Sequence, residues 1–558
     1  MHSDLTQIKY QLAWDRLISV VEEQARALVR TAFGTATREA GDVSAGYFST
    51  DGRMLAQAVT GTPGHVNSMA NSVRHFIAAF PEMKAGDVYI TNDPWKGTGH
   101  LYDVTVVTPA FYMDRFVGLF ANTVHLVDIG GRGIPGEARQ VYEEGLCVPI
   151  MKLVDGGTLN ESLLALIRAN VREPVQVIGD LYSQIACNNV GSRRLSDMLK
   201  DCGLSDTQDL ATFILDRTRK ASLEAIRALP EGTYTAAMTV DGVDTPVELK
   251  AAVTISSEGL HIDFSGTSGL SRLGYNVPLC YTEAYAAFGI KCIVAPEIPN
   301  NHASLELIRV TAPENCILNA LPPAPVAARS VIGHMIPDVI FGCLAQIFPD
   351  KVPAESTSCL WNVRLMGGFG RVSVNAEALK GATPFNITAF HSGGAGARPQ
   401  KDGLSATAFP SGVKNVQVEM TEAIAPVVFW RKEYRTDSGG PGRFRGGLGQ
   451  VIEVESRENK PIAVAAVFDR IDHPARGRAG GLSGAAGIVA LKSGQLLAGK
   501  GHHTINPGER LVLQFPGGGG FGDPTLRDRE LVSRDVRYGL VSAQSAATQY
   551  GYSSEDET

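Results

Sequence analysis

Apolar residues near the N-terminus recur at three- and four-residue spacing, which predicts one long amphipathic helix over residues 10–39. After Gly41 the pattern changes to a β-rich run over residues 42–50, and Asp51-Gly52 leads into residues 53–57, which is typical of a hairpin. Similar patterns predict a loop at 62–65, strands at 104–107 and 116–126, and helices at 67–80, 159–170, 173–199 and 205–229. The helix over 173–199 carries a polar stripe, which is expected to face solvent or another subunit: Asp180, Gln184, Asn188 and Asn189.

Beyond Pro230 the sequence changes to alternating β-strands, followed by apolar helices predicted at 282–294 and 331–348. From about residue 375 the chain is rich in glycine, with short β runs that glycine-rich loops are expected to join and a terminal helix at 528–538. The predicted class is α+β, a mixed multidomain chain. Its predicted parts are an N-terminal α/β domain over 1–230, a middle α+β domain over 231–375 and a β-rich glycine-loop region over 376–558.

Composition excludes several classes of partner. The 558 residues include 51 Lys and Arg against 58 Asp and Glu, a net charge of −7, which disfavours nucleic acid and anionic membrane surfaces. No stretch approaches the ~18 uncharged apolar residues of a membrane span, and the first ten residues lack the apolar core of a secretory signal. Eight scattered cysteines without a CxxC pair indicate reduced thiols. A cytoplasmic protein is expected.

The densest set of candidate ligands is in residues 91–103, where a glycine-broken loop carries His100 and Asp103. Residues three apart in a strand point to opposite faces, so these two side chains converge only if Gly97 and Gly99 bend the chain. His125 follows at the end of the next predicted strand. Imidazole and carboxylate ligands suit a divalent zinc or manganese ion, and three of them leave a position open for water or substrate. The alternative is that the three side chains are hydrogen-bonding groups of loops.

Two further carboxylates have both a structural and a functional interpretation. Asp42 is at the start of the predicted hairpin, where a turn residue is the alternative to a ligand. Glu144 follows a glycine-rich loop and is a candidate general base, although such carboxylates more often solvate a loop. No nucleotide site is predicted, because the P-loop-like run at 494–501 has Gly501 where Ser or Thr is required.

Several motifs together resemble the B subunit of the hydantoinase/oxoprolinase family along nearly the whole chain. They are residues 30–33 (RTAF), 41–44 (GDVS), 51–57 (DGRMLAQ), 92–94 (NDP), 99–103 (GHLYD), 180–186 (DLYSQIA), 276–278 (NVP) and 517–524 (GGGGFGDP). The resemblance implies Asp42, His100, Asp103 and His125 as metal ligands. It also implies a partner A subunit that uses ATP with Mg to phosphorylate a substrate carbonyl oxygen, in a hetero-oligomer for which A2B2 is one composition.

The resemblance implies an ATP-dependent hydrolase of cyclic amides such as lactams, hydantoins or 5-oxoproline. Water activated by the metal would attack the phosphorylated carbon, and Asp128 or Glu144 would orient or deprotonate that water. Two alternatives stay open. One is the metal-bearing subunit of a ketone carboxylase that acts on acetone or acetophenone, and the other is a non-catalytic scaffold subunit.

Overall fold

The computed structural model describes residues 2–59, 62–132, 135–358, 360–368 and 376–552. The chain divides into two compact units. Unit 1 comprises Met1–Tyr234, Ala251–Ser265 and Arg272–Arg329, and unit 2 comprises Thr235–Lys250, Gly266–Ser271 and Ser330–Thr558. Helices and sheets occur in both units, which confirms the predicted α+β multidomain class. The three-domain division at residues 230 and 375 stays a prediction.

Unit 1 contains eight helices among its described residues: α1 (His2–Thr31), α2 (Thr35–Arg38), α3 (Pro63–Ala79), α4 (Glu161–Asn170), α5 (Pro174–Cys202), α6 (Gln208–Arg227), α7 (Leu279–Val294) and α8 (His302–Leu305). Its largest sheet is formed by β1 (Val43–Phe48), β2 (Met54–Gln57), β3 (Val88–Thr91), β4 (Asp103–Tyr112), β5 (Arg115–His125), β6 (Met151–Asp155) and β7 (Thr158–Leu159). The next strands are β8 (Gly232–Val240) and β9 (Val247–Ser256), whose residues are divided between the units, then β10 (Gly259–Asp263) and β11 (Ile308–Thr311).

The seven-stranded sheet of unit 1 has the order β2-β1-β5-β4-β3-β6-β7, and every neighbouring pair is antiparallel. On one face Leu28 of α1 packs with Val43, Val104 and Val124, and on the other face Met69 of α3 belongs to a separate apolar cluster. The sheet therefore lies between α1 and α5 on one side and α3 on the other. One end of β1, β5 and β4 carries the residues of the candidate site.

The predicted helix over 10–39 is wrong in its bounds, because α1 ends at Thr31. The backbone N–H groups of Phe33 and Gly34 donate to the Asp180 carboxylate over 2.7 and 3.1 Å instead of continuing the helix. A Cβ at Gly34 would lie 2.6 Å from Asp180 Oδ2, so the close approach requires glycine. A buried carboxylate from α5 thus fixes the break between α1 and α2.

The polar stripe of α5 is also placed differently from the prediction. Asp180, Gln184 and Asn188 are buried, and only Asn189 is exposed. Gln184 Nε2 donates to Val104 O over 2.8 Å, and Asn188 donates to a threonine hydroxyl of the same strand over 3.0 Å. The stripe therefore ties α5 to the sheet, where each amide satisfies a polar group that burial would otherwise leave unpaired.

Unit 2 contains α10 (Ile336–Leu344), α11 (Ala376–Leu379), α12 (Val418–Ile424), α13 (Arg529–Arg537) and α14 (Ala543–Tyr550), and α9 (Arg329–Gly333) begins at its boundary with unit 1. Its strands are β12 (Trp361–Gly367), β13 (Phe385–His391), β14 (Val427–Tyr434), β15 (Gln450–Ser456), β16 (Ile462–Val467), β17 (Ile488–Leu491), β18 (Lys500–Ile505) and β19 (Leu511–Gln514). They form two antiparallel sheets with the orders β13-β12-β16-β18 and β14-β15-β19-β17. The single helix predicted over 331–348 is divided into α9 and α10. The helix predicted over 528–538 is confirmed as α13, but it is not terminal, because α14 follows it.

The glycine-rich segments of unit 2 pack against one another instead of serving only as surface loops. Gly517–Gly520 is buried, and Gly518 N donates to Gly447 O over 3.0 Å. A Cβ at Gly517 would lie 1.7 Å from a backbone oxygen. Only glycine allows backbones to approach so closely, so these segments form part of the interior.

The cysteines and the apolar helices bear on two further predictions. Seven of the eight cysteines lie in the described part of the chain and form no disulfide there, whereas Cys359 lies outside the described residues. Among the residues that the structure covers, no helix is both long and apolar enough to span a bilayer.

Candidate metal centre

Three of the four predicted ligands meet at one end of the large sheet. Asp103 begins β4 and is the direct cross-strand partner of His125, which ends β5, while His100 lies in the turn before β4. Their candidate ligand atoms all lie within 4.8 Å of one another. His100 Nε2 is 2.8 Å and His125 Nδ1 is 3.0 Å from Asp103 Oδ1. Adjacent antiparallel strands thus bring together side chains that are 22 positions apart in the chain.

The turn that carries His100 depends on glycine, as the sequence predicts. Gly99 has a φ of +95°, a conformation that residues with a side chain rarely adopt. A Cβ at this position would lie 2.6 Å from Arg329 Cδ. Gly99 therefore both bends the chain and leaves room for an arginine beside the centre.

Asp42, the fourth predicted ligand, lies next to this group but does not belong to it. It precedes β1, whose first residue Val43 pairs with Val124, so Asp42 is at the same end of the sheet as His125. Asp42 Oδ1 accepts a hydrogen bond of 2.9 Å from the Thr62 hydroxyl and lies 3.6 Å from His65 Nδ1. Its role as a ligand stays a prediction.

His65 is a member of the site that the sequence did not predict. It lies in the first turn of α3, is buried, and places Nε2 2.9 Å from Asp103 Oδ2. The prediction of a loop over residues 62–65 is wrong, and Pro63 was the available signal, because proline is favoured in the first turn of a helix. The imidazole of His65 lies between the two predicted carboxylate ligands, Asp42 and Asp103, and approaches one with each nitrogen.

Arg329 is the second unpredicted member. Its guanidinium donates to Asp103 Oδ2 over 2.5 Å and to Thr98 O over 2.7 Å, and it lies 3.9 Å from the centre of the Tyr281 ring. The Thr98 hydroxyl donates to the same carboxylate oxygen over 2.7 Å. A single arginine more than two hundred positions away in the chain gives no sequence signal, since only the fold brings it to the site.

Burial and charge set the protonation of the centre. Although burial acts in the opposite direction, the cationic groups of His65 and Arg329 hold the pKa of Asp103 well below its usual range, so this carboxyl is ionised. Burial and the positive charge of Arg329 lower the pKa of His100 to about 4, which keeps this imidazole neutral. Burial would lower the pKa of His65, but the carboxylates of Asp103 and Asp42 outweigh it and raise the pKa above its usual value.

The contacts of His100 fit a bound cation. Its Nδ1 lies 2.9 Å from Ala327 O, and because a carbonyl only accepts, Nδ1 carries the proton. Neutral His100 therefore presents a lone pair at Nε2, which is buried and has no hydrogen-bond partner among the described residues. That lone pair lies 2.8 Å from the ionised carboxylate of Asp103. Two such groups repel one another unless a cation binds both.

Asp128, a predicted acid–base group, is fully occupied by structural contacts. It is buried and forms an ion pair of 2.7 Å with Arg172, whose backbone N–H also donates to it. Gly130 N donates to the same carboxylate over 3.2 Å. These contacts hold the loop after β5, and none of them supports the predicted catalytic role.

Glu144, the other predicted acid–base group, lies after a short 3-10 helix (Val141–Glu143) and is buried. Its Oε1 accepts hydrogen bonds from Val326 N over 2.6 Å and from Ala327 N over 2.8 Å. Its Oε2 has no hydrogen-bond partner among the described residues. Burial raises the pKa of Glu144 to about 8 despite the two N–H donors. The prediction that it solvates a loop is wrong.

The fold and this cluster define an α+β protein with a buried centre of histidine and carboxylate side chains. The chain belongs to the hydantoinase B/oxoprolinase family, whose model matches residues 6–524. An uncharacterised protein of Methanocaldococcus jannaschii is 33% identical over 95% of this chain and 93% of its own length. The caprolactamase subunit beta of Pseudomonas jessenii is 29% identical over 96% of each chain.

Two solved structures share the fold. The ATP-dependent caprolactamase from Pseudomonas jessenii superposes with a TM-score of 0.87 at 25% identity, covering 98% of this chain and 96% of that one. An acetone carboxylase, described as carrying out ATP-dependent acetone carboxylation, superposes with a TM-score of 0.85 at 18% identity, covering 98% of this chain and 79% of that one. The second likeness shows the fold alone.

Proposed function

We propose that this chain is the metal-bearing subunit of an ATP-dependent hydrolase that opens a cyclic amide such as a lactam, a hydantoin or 5-oxoproline. The observation that carries the proposal is the unpartnered Nε2 of neutral His100, which faces the ionised carboxylate of Asp103 in a buried site. Imidazole and carboxylate ligands together suit a divalent zinc or manganese ion. Family membership and the likeness to a caprolactamase support the choice of substrate class.

His100, Asp103 and His125 would hold the ion, and Asp42 is the proposed fourth ligand. When bound, a divalent ion supplies Lewis-acid activation of water. The protein's contribution is to keep the ligands in the required protonation states. Burial keeps His100 neutral, and the contacts from Arg329 and Thr98 keep Asp103 charged and fixed in orientation.

We assign ATP, with Mg, to a partner A subunit that phosphorylates the amide oxygen. The relative in Pseudomonas jessenii is named subunit beta and its structure is described as ATP-dependent, which supports a two-subunit system for this chain as well. This chain lacks a Walker A sequence, since Gly501 replaces the Ser or Thr that such a sequence requires. The proposed assembly is a hetero-oligomer of composition A2B2.

Phosphorylation of the carbonyl oxygen turns a poor electrophile into one with a good leaving group. A first water attacks that carbon, and the C–N bond of the ring breaks as a proton passes to the ring nitrogen, which leaves an acyl phosphate. A second water attacks the phosphorus and breaks the P–O bond, so phosphate is released and the new carboxylate keeps one oxygen from the first water. Of the two predicted acid–base groups, Glu144 keeps an oxygen without a hydrogen-bond partner among the described residues, whereas the contacts of Asp128 engage both of its oxygens. These contacts favour Glu144 over Asp128 as the acidic residue that acts at the candidate metal centre.

A ketone carboxylase is the second candidate, favoured by the shared fold with acetone carboxylase. The same ligands would serve in either reaction. A non-catalytic scaffold is the third candidate, and it predicts a chain that binds no metal.

The decisive experiment supplies the purified chain with its A-type partner, ATP, a divalent metal and a panel of cyclic amides in ¹⁸O-labelled water. We expect ring opening without bicarbonate and one labelled oxygen in each new carboxylate. Asp103→Asn should abolish ring opening while the partner still hydrolyses ATP, and His75→Ala, an exposed histidine, is the matched control. Intact cyclic amides, together with labelled bicarbonate entering a ketone, would establish the carboxylase instead.

A further inference from the structure

The segment 326–329 contacts the candidate metal centre at two points. The carbonyl of Ala327 accepts a hydrogen bond of 2.9 Å from Nδ1 of His100. This bond fixes the imidazole in the tautomer that leaves Nε2 unprotonated. Two residues later the guanidinium of Arg329 donates to Asp103 Oδ2 over 2.5 Å. One short stretch of backbone thus orients two of the proposed ligands.

Glu144 binds the same segment through its backbone N–H groups. Its Oε1 alone accepts both consecutive N–H groups, from Val326 over 2.6 Å and from Ala327 over 2.8 Å. The preceding turn adds a backbone hydrogen bond of 3.0 Å from Val141 N to Pro323 O. Since the carboxylate binds the N–H and His100 binds the C=O of the same residue, Ala327, a shift of Glu144 moves the acceptor of the imidazole.

We propose that Glu144 is a positioning residue, not the general base, and that it fixes segment 326–329 so that Ala327 O and Arg329 orient His100 and Asp103. The two hydrogen bonds that Glu144 accepts come from backbone N–H groups of Val326 and Ala327 and not from a proposed ligand. Groups that orient metal-binding histidines are typically worth about 10–100-fold in metal affinity. The raised pKa of Glu144 agrees with this role, because a protonated carboxyl still accepts two hydrogen bonds through its carbonyl oxygen.

The inference rests on the proposed function only in that an ion is bound, and its first test needs neither ion nor partner. Hydrogen–deuterium exchange of the metal-free chain reports the Val326 and Ala327 amides directly. Glu144→Leu removes the carboxylate acceptor, and Glu144→Asp shortens the side chain that carries it. Both variants should speed exchange of these amides by roughly tenfold or more, since exchange follows local opening. Glu144→Gln keeps a carbonyl oxygen in place and should restore slow exchange. Glu143→Gln is the matched control, because Glu143 is half-exposed and pairs with Arg132.

The second test is the affinity of the same variants for Zn²⁺ or Mn²⁺ by competition with a chelator. Glu144→Asp and Glu144→Leu should bind the ion about 10–100-fold more weakly, whereas Glu144→Gln and Glu143→Gln should stay within about twofold of the parent. Unchanged exchange or unchanged metal affinity in both Glu144→Asp and Glu144→Leu would overturn the proposal. A Glu144→Gln variant with parental exchange and affinity but no turnover would also overturn it, because Glu144 would then act by proton transfer. Failure of the parent protein to open cyclic amides would count against the proposed function and leave the exchange result standing.

Discussion

Arg329 and Asp103 form an ion pair of 2.5 Å in which the two side chains are 3% and 0% exposed. Arg329 also donates to Thr98 O and lies over the Tyr281 ring, so the guanidinium is held on three sides. The pair places a permanent positive charge beside a carboxylate that is also a proposed metal ligand. Arg329 therefore contributes both to the stability of unit 1 and to the charge of the site.

Replacing Arg329 with methionine should lower the free energy of unfolding by about 3–5 kcal/mol, because it leaves the Asp103 carboxylate buried without its cation. Urea denaturation of the metal-free chain measures the change. Arg16→Met is the control, since Arg16 and Asp201 form a pair whose side chains are 48% and 55% exposed, and such pairs contribute about 0–1 kcal/mol. Equal losses in the two variants would contradict the assignment of Arg329 as a buried structural cation.

The sequence predicted the strand ends that carry the ligands because the information is local. The spacing of His100 and Asp103 around Gly99 already required a bend, and the structure has that bend, with a φ of +95° at Gly99. The β-branched run of β4 and the apolar run of β5 likewise placed His125 at a strand end. These features depend on residues that are near one another in the chain, which is what pattern and turn chemistry detect.

The remainder of the site depends on contacts between distant residues. The polar stripe of α5 was predicted to face solvent or another subunit because polarity alone does not show that Gln184 has a strand carbonyl to bind. Arg329 and Ala327 reach His100 and Asp103 only through the fold, and Glu144 was predicted as a solvating or basic group because its backbone partners lie more than 180 positions away. Tertiary hydrogen bonds of this kind have no periodicity to detect.

We expect about one transition-metal ion for each chain in protein purified without chelators, because buried imidazole and carboxylate ligands out-compete surface groups. Elemental analysis of the parent and of a His100→Ala/His125→Ala double variant tests this expectation. The double variant should lose nearly all of the metal, whereas His75→Ala should retain it. A parent protein without metal, or a double variant that keeps its metal, would refute the proposed centre.

The isolated chain should neither bind nor hydrolyse ATP. The prediction follows from the sequence at residues 494–501, which lacks the Ser or Thr that binds Mg²⁺ in a P-loop. Titration calorimetry with ATP and Mg²⁺ on the purified chain, followed by a phosphate-release assay, provides the measurement. Tight binding in the absence of a partner would show that the division of labour between two subunits is wrong.

The last prediction concerns pH and Glu144. Burial raises the pKa of Glu144 to about 8 in the folded protein, whereas the unfolded chain has the ordinary value near 4.5. Between these values the folded state holds a proton that the unfolded state releases, so the contribution of Glu144 is fully present below about pH 4.5 and declines as the pH rises toward 8. The decline is at most about 1.4 kcal/mol per pH unit.

Glu144→Gln cannot ionise, so its stability relative to the parent should increase steadily from pH 5 to pH 8 in urea denaturation of the metal-free protein. Glu143→Gln, at the half-exposed neighbouring position, should follow the parent. A constant difference between Glu144→Gln and the parent across this range would show that Glu144 is ionised in the folded protein.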